Sequence, residues 1–158
     1  MTEIEKSLYR LMLVLIAGTA AVGLFIEGPS EALREFLILQ WSQSRLIHDF
    51  SVTGGPGGAL LSAALMAALS LLVVRMNGVR LSGPTIAGVL TVMGFSLFGK
   101  TALNVVPVVL GVWLAAHSAG KTFKSYIMIA LFGSALGPLT TTLALEIGLS
   151  GFGAVAAG

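Results

Sequence analysis

The sequence lacks cysteine, holds a single aspartate, and has charged residues at only 10% of its 158 positions. The missing thiols exclude disulfides and thiolate metal sites. A soluble domain usually carries about 25% charged residues, so this chain cannot cover its own surface with charge. Nine scattered basic residues and a net charge of +2 make no nucleic-acid footprint. We therefore expect no nucleic-acid partner and no metal or other cofactor.

Long apolar runs make up much of the sequence. The composition is 56% hydrophobic, and the mean hydropathy is +0.96. Apolar runs of about 18 or more residues are typical of transmembrane helices. We predict three full spans, at residues 8–26, 57–75 and 125–145, the last interrupted by Gly137-Pro138. The predicted fold class is an all-α integral membrane protein with one membrane domain, whose first partner is the lipid bilayer.

A shorter amphipathic helix is predicted at residues 30–41, after the Gly-Pro break that ends the first span. Its large apolar residues, such as Leu33 and Trp41, fall on one helical face, opposite Glu31 and Glu35. This pattern indicates a helix lying in the membrane interface, with Trp41 at headgroup level.

Two apolar segments, 84–98 and 105–119, are too short to span comfortably. Each has 15 residues and would rise about 22 Å as a helix, against a hydrocarbon core of about 30 Å. They either cross thinly one after the other or form a re-entrant pair. Residues 147–158 form an incomplete apolar segment, which suggests that the chain is part of a longer protein.

Basic residues predict the orientation of the spans. Six of them flank span ends that would share one side of the membrane: Lys6, Arg10, Arg75, Arg80, Lys121 and Lys124. The positive-inside rule places that side, with the N-terminus, in the cytoplasm. The number of crossings is then odd, so a second copy attached after the last span would insert upside down. The chain would in that case be one half of an inverted repeat.

One stretch matches a nucleotide-binding pattern. Gly94 to Thr101 fits G-x-x-x-x-G-K-[ST], the loop that cradles phosphates between a strand and a helix. Here an apolar, helix-like segment precedes the loop, and no strand ending in aspartate follows to hold magnesium. We interpret the match as accidental and expect no nucleotide.

Lys100 still requires an explanation, because a charge between two apolar segments is costly at membrane depth and marks a functional site by default. The alternative is that segment 84–98 crosses thinly and Lys100 snorkels to the interface. Asn104 lies four residues on, so the two would share a face if the segment were helical. Together they would present hydrogen-bonding groups to a small polar solute.

Two Gly-Pro dipeptides add candidate residues. Gly83-Pro84 is followed by Thr85, and Gly137-Pro138 is followed by Thr140, Thr141 and Thr142. Half-helices that begin at such breaks can point free amides at a substrate. The alternative is a simple kink, in which neighbouring helices satisfy the freed carbonyls.

His48 and Asp49 precede the second span and form a possible proton relay, because histidine titrates near neutral pH. The alternative is that they form a polar boundary cap.

Three stretches resemble a family of prokaryotic membrane proteins, the domain of unknown function numbered 1576. They are "HDFSVTGGPGGALLSAAL", "LSGPTIAGVLTVMGFSLFGKTALNVVPVVLGVW" and "SYIMIALFGSALGPLTTTLAL", and together they cover roughly residues 46–145. The FGK-[ST]-x-x-N core is the most distinctive part. The resemblance implies a prokaryotic cytoplasmic (inner) membrane but no activity. The helices broken by Gly and Pro are also similar, in pattern alone, to those of urea transporters.

Two functions follow from these observations. The first is a transporter or channel for a small polar solute, urea-like or a small anion, with its site at the broken helices. The alternative is a non-transporting membrane subunit or scaffold that packs through small-residue helices. The partner would be a second repeat half or further copies in a homo-oligomer. No catalytic constellation is visible, so we expect no enzyme.

Overall fold

The computed structural model describes residues 2–42 and 49–148. These residues form helices and no strand. The helices are α1 (Glu3–Glu27), α2 (Pro29–Trp41), α3 (Phe50–Thr53), α4 (Gly55–Met76), α5 (Gly83–Phe95), α6 (Val106–Ser118), α7 (Ile127–Gly133) and α8 (Gly137–Glu146), with 3₁₀ turns at Phe123–Tyr126 and Ser134–Leu136.

Three helical stretches are long and apolar enough to cross a membrane. They are α1, α4, and the run Phe123–Glu146 that contains α7 and α8, with 25, 22 and 24 residues. At about 1.5 Å per residue each exceeds the roughly 30 Å of a hydrocarbon core. The predicted fold class, an all-α protein with three spans of this kind, is confirmed.

Helix α4 forms the centre of the fold. In its most apolar window 61% of the residues are buried, against 22% in α1. Most of its buried residues are Ala, Gly or Ser, and such small side chains let neighbouring helices approach closely. At Gly23 of α1, an added Cβ would lie only 2.9 Å from the Gly57 carbonyl oxygen of α4. The small residues of α4 are therefore occupied by contacts within the chain.

Helix α2 packs on the first turns of α4 through Ala32, Leu39 and Gln40, which are buried. Leu33 and Leu37 are exposed on its other side. Glu35 contacts α4. A Cβ added at Gly58 would come within 2.7 Å of the Glu35 Cβ.

Helices α5 and α6 start from and return to one end of the bundle, and α7 packs against both of them; we call this pair with its tip the α5–α6 hairpin. Each has 13 residues and rises about 20 Å, so each is shorter than the predicted segment. Residues 96–105 form a non-helical tip between them. A Cβ added at Gly78, just before α5, would lie 3.8 Å from the Nζ of Lys124, just after α6. The ends of the hairpin therefore lie side by side.

The third stretch is broken near its middle. Helix α7 ends at Gly133, a 3₁₀ turn follows over Ser134–Leu136, and α8 begins at Gly137-Pro138. Proline suits the first turn of a helix, where its missing N–H is not needed. The break brings the middle of this stretch against the hairpin tip.

Candidate functional site

Buried polar side chains collect around the tip of the α5–α6 hairpin. Four come from the tip and are no more than 2% exposed: Ser96, Lys100, Thr101 and Asn104. Three more reach it from α2, α4 and the third stretch: Gln40, Ser62 and Ser134. We call these seven residues the polar break. They belong to segments far apart in the sequence, so only the tertiary fold brings them together.

Lys100 is the centre of the polar break and has no exposed surface. Its Nζ donates to the Ser134 Oγ at 2.7 Å, and that hydroxyl donates to the Leu131 carbonyl at 2.6 Å. Ser134 is twelfth among the 24 residues of Phe123–Glu146. The lysine thus bonds to the midpoint of a membrane-length stretch, which runs counter to its snorkelling to an interface.

Asn104 holds the tip in shape rather than pointing away from it. Its Oδ1 accepts from the Thr101 amide at 2.9 Å, and its Nδ2 donates to the Gly99 carbonyl at 2.8 Å. Gly99 has a φ of 89°, in the left-handed region that glycine readily adopts. The sequence suggested that Lys100 and Asn104 would share a face if this segment were helical. The tip is not helical, so they do not. Asn104 fixes the backbone from which Lys100 projects.

The broken third stretch packs its backbone directly on Asn104. A Cβ added at Gly137 would lie 2.7 Å from the Asn104 Oδ1 and 3.1 Å from its carbonyl oxygen. The Thr140 Oγ1 donates to the Gly137 carbonyl at 2.6 Å and lies 3.4 Å from the Asn104 carbonyl. The structure thus places Lys100, Asn104 and Thr140 together, and glycine at 137 allows this close approach.

Helix α2 ties the tip to α4 through one side chain. The Gln40 Nε2 donates to the Ser62 Oγ at 3.0 Å, and its Oε1 accepts from the Ala102 amide at 3.3 Å. Beside this bridge, the Phe50 amide donates to the Leu97 carbonyl at 3.0 Å. Sequence analysis missed Gln40, Ser62 and Ser134, because single polar residues in three separate elements carry no shared pattern.

Thr85 does not reach the polar break. It lies at the opposite end of α5, where its Oγ1 donates to the Arg80 carbonyl at 3.1 Å and lies 3.0 Å from the Ser82 Oγ. About ten helical residues, or 15 Å, separate it from the tip. Its hydroxyl contributes to the start of the helix.

The other threonines of α8 differ in their surroundings. The Thr142 Oγ1 donates to the Pro138 carbonyl at 3.0 Å, within the helix. Thr141 is 1% exposed, and its Oγ1 has no hydrogen-bond partner among the described residues. A helical threonine usually donates to the carbonyl four residues earlier, but Thr140 already occupies that acceptor on Gly137.

The predicted proton relay can be placed only in part. Asp49 is exposed and caps α3, accepting from the Ser51 amide at 2.9 Å and from the Ser51 hydroxyl at 2.7 Å. His48 lies outside the described residues. The arrangement of Asp49 matches a helix cap.

One family matches most of the chain. Its sequence profile, described as "Protein of unknown function (DUF1576)", covers residues 28–158. The chain belongs to this family. The resemblance drawn from residues 46–145 is thereby confirmed and extended on both sides, whereas the likeness to urea transporters stays a prediction. All seven residues of the polar break lie within the DUF1576 range. No curated protein and no solved structure matches the chain.

A small cavity adjoins the polar break within the DUF1576 range. It has a volume of about 80 Å³ and lies between α4, α5, α6 and α7. Apolar side chains line it together with Ser70 and Ser134. A cavity needs about 10–15 Å³ on this measure to hold one water, so there is room for a small solute. The hydroxyl that binds Lys100 is thus also a wall of this cavity.

A second polar group, also missed from the sequence, lies where α1, α2 and α4 meet. The Gly57 amide donates to the Glu27 Oε2 at 2.8 Å, and a Cβ at Gly55 would collide with the Glu27 and Glu35 carboxyls. The hydrogen bond that Glu35 shares with Glu27 raises the pKa of Glu35, and burial and the charges of Glu27 and Glu31 add to the rise. We call Glu27, Glu35, Gly55, Gly57 and Gly58 the glycine junction.

Proposed function

We propose that this chain is a transporter or channel for a small polar solute and that the polar break is its site. The observation that carries the proposal is Lys100, fully buried and bonded to the midpoint of a membrane-length stretch. A charged side chain at that depth costs several kcal/mol. A purely structural packing position gains nothing from such a residue, whereas a solute site requires a strong donor.

The broken helices supply the rest of the site. The tip of the hairpin is non-helical, so its backbone groups are not all used in helical hydrogen bonds. Irregular backbone is tolerated at membrane depth where protein buries it or a cavity adjoins it. Fixed dipoles of this kind replace the hydration shell of a passing solute. The described conformation is closed at Lys100, so passage requires the tip and the third stretch to separate.

The arrangement of basic residues supports a multi-pass topology with the N-terminus in the cytoplasm. The Arg75 guanidinium lies 5.6 Å from the centroid of the Tyr9 ring, and the Leu81 amide contacts the Glu5 carboxylate at 3.4 Å. With Lys124 beside Gly78, the basic ends of all three stretches gather at one end of the bundle. We place that end inside, in the cytoplasmic membrane of a prokaryote, with a second repeat half or another copy as partner.

The second candidate is a scaffold without transport. Its predicted packing surface, the small residues of α4, is already occupied by α1 and α2. A scaffold would have to use the outward face of α1, where a Cβ added at Gly18 would meet nothing within 4 Å. This exposed small residue is the observation that favours it.

Cysteine labelling tests the proposed function, since the native chain offers no competing thiol. Ser134→Cys changes one atom of the polar break, and Ser118→Cys places the same change on the exposed end of α6. In inverted vesicles, where the cytoplasmic end faces outward, we expect a membrane-impermeant maleimide to label Cys at 118 at once. It should label position 134 slowly, as the site opens, and candidate solutes such as formate or urea should slow that labelling further.

A position 134 that stays unlabelled over many hours, in cells and in inverted vesicles, would contradict transport. The polar break would then be dry in every accessible state, and the scaffold would remain. Equal rates at positions 134 and 118 would also contradict the proposal, because the site would then not be occluded.

A further inference from the structure

Lys100 has no acidic side-chain partner among the described residues. All seven acidic side chains of the sequence lie within the described residues. Among those residues the two ion pairs are Lys6–Glu3 and Arg34–Glu31, and Lys100 takes part in neither. The counter-charge of a protonated Lys100 must therefore come from outside the side chains of the protein.

The remaining acidic residues are engaged elsewhere or lie at a surface. Glu5 contacts the Leu81 amide, Glu27 and Glu35 belong to the glycine junction, Asp49 caps α3, and Glu146 is exposed at the end of α8. Buried charges in proteins are normally paired. The lysine is thus the incomplete half of a pair.

The donors around Lys100 are also in excess. An ammonium carries three N–H donors, and one of them goes to the Ser134 Oγ. The other two have no acceptor among the described residues. A buried donor requires an acceptor.

We infer that the solute recognised at the polar break is a small monovalent anion, which pairs with the Lys100 ammonium. This inference rests on the proposed function and names its substrate class. The cavity of about 80 Å³, which is lined by Ser134, the acceptor of Lys100, is the free space next to this pair and suits a small anion. Its largely apolar wall strips water from the anion, so the ammonium must replace the lost hydration.

Thermal melting of the purified chain tests binding apart from transport. Sodium formate is the probe, sodium gluconate at equal ionic strength is the control for an anion too large for the cavity, and urea is the neutral control. A ligand that binds only the folded state raises Tm with concentration and then more slowly beyond its Kd. We expect that behaviour with formate and with neither control.

Variants assign the effect to Lys100. Lys100→Met should abolish the formate-dependent rise in Tm, while Lys124→Met, which removes an exposed lysine near Gly78, should keep it. If Lys100→Met does not fold, the wild-type series still decides, because absence of a formate shift in the wild type overturns the inference.

Flux into proteoliposomes separates this inference from the proposed function. Formate entry that falls at least tenfold in Lys100→Met supports both. Urea entry without formate entry or a formate shift overturns the anion and leaves transport standing. A formate shift with no flux of either solute keeps the anion site and overturns transport. Formate entry that is unchanged in Lys100→Met overturns the role of the lysine.

Discussion

The polar break and the glycine junction both bury charge-bearing groups beside α4, yet they treat charge in opposite ways. In the glycine junction, the Gly57 amide at the start of α4 donates to the Glu27 carboxyl, and the Glu35 carboxyl lies beside it with an Oε2 that has no hydrogen-bond partner among the described residues. A helix N-terminus also favours negative charge. In the polar break, a lysine is buried without an acidic side-chain partner among the described residues. The junction thus brings two acids together at the start of a helix, whereas the break holds a base without an acid.

This difference separates a structural role from a functional one. Glycines at three positions of the junction allow α2 and α4 to touch, so its polar groups hold two helices together. The groups of the polar break instead surround Lys100. Because Lys100 is not paired with an acid, its removal would not leave an acidic side chain without a partner. Variants in each of the two regions test this distinction through their effects on stability.

The largest effect is expected from Gly137→Ala in the polar break. The new Cβ would lie 2.7 Å from an Asn104 Oδ1 that two tip hydrogen bonds hold in place. Overpacking of this kind costs about 1–3 kcal/mol, so the free energy of unfolding should fall by that amount. Chemical denaturation in detergent measures it.

Gly133→Ala is the control for that variant, because its Cβ would meet nothing closer than Val108 at 3.8 Å. Alanine is the better helix former by up to about 1 kcal/mol, so this variant should be neutral or slightly more stable. Equal losses in the two variants would show that the tip does not press on the third stretch.

A smaller effect, on the pH dependence of Tm, is expected from Glu35→Gln in the glycine junction. The pKa of Glu35 is raised in the folded chain, so the protonated form is favoured by folding. That contribution is complete below the unfolded pKa and is lost as the pH rises through the raised folded pKa. Tm should therefore fall with rising pH across this window in the wild type, and less so in Glu35→Gln.

Glu31→Gln provides the opposite sign within the same helix. The hydrogen bond with Arg34 lowers the pKa of Glu31, so its contribution is present above the unfolded pKa and is lost as the pH falls. Both residues are in α2, but Glu31 is exposed. A pH profile of Tm that Glu31→Gln flattens and Glu35→Gln leaves unchanged would contradict the shared hydrogen bond at the junction.

The sequence predicted the long helices well because their signal is local. A run of apolar residues of sufficient length identifies a span without reference to the rest of the chain. The two Gly-Pro dipeptides likewise mark helix starts through proline's fixed geometry, and both α5 and α8 begin there. Lys100 could be singled out as a charge in an apolar setting.

The partners of Lys100 could not be predicted, because they depend on which helices touch. Ser134 and Gln40 are ordinary polar residues until the fold brings them to one place. Helix α2 shows a further reason. Its Leu33 and Leu37 are exposed while Glu35 contacts α4, which departs from the pattern of a soluble helix. Where lipid can solvate apolar groups, polar ones are the residues that gain from burial.

The stability of Lys100→Met tests most directly whether the lysine serves function rather than fold. Methionine has similar length, fills irregular space and carries no charge to desolvate. Removing a buried charge that has no acidic partner also removes its desolvation cost, so we predict a Tm equal to or above that of the wild type in the absence of added anion. A cooperative transition at a clearly lower Tm would contradict the account, because the lysine would then hold the tip together and the polar break would be complete without a solute.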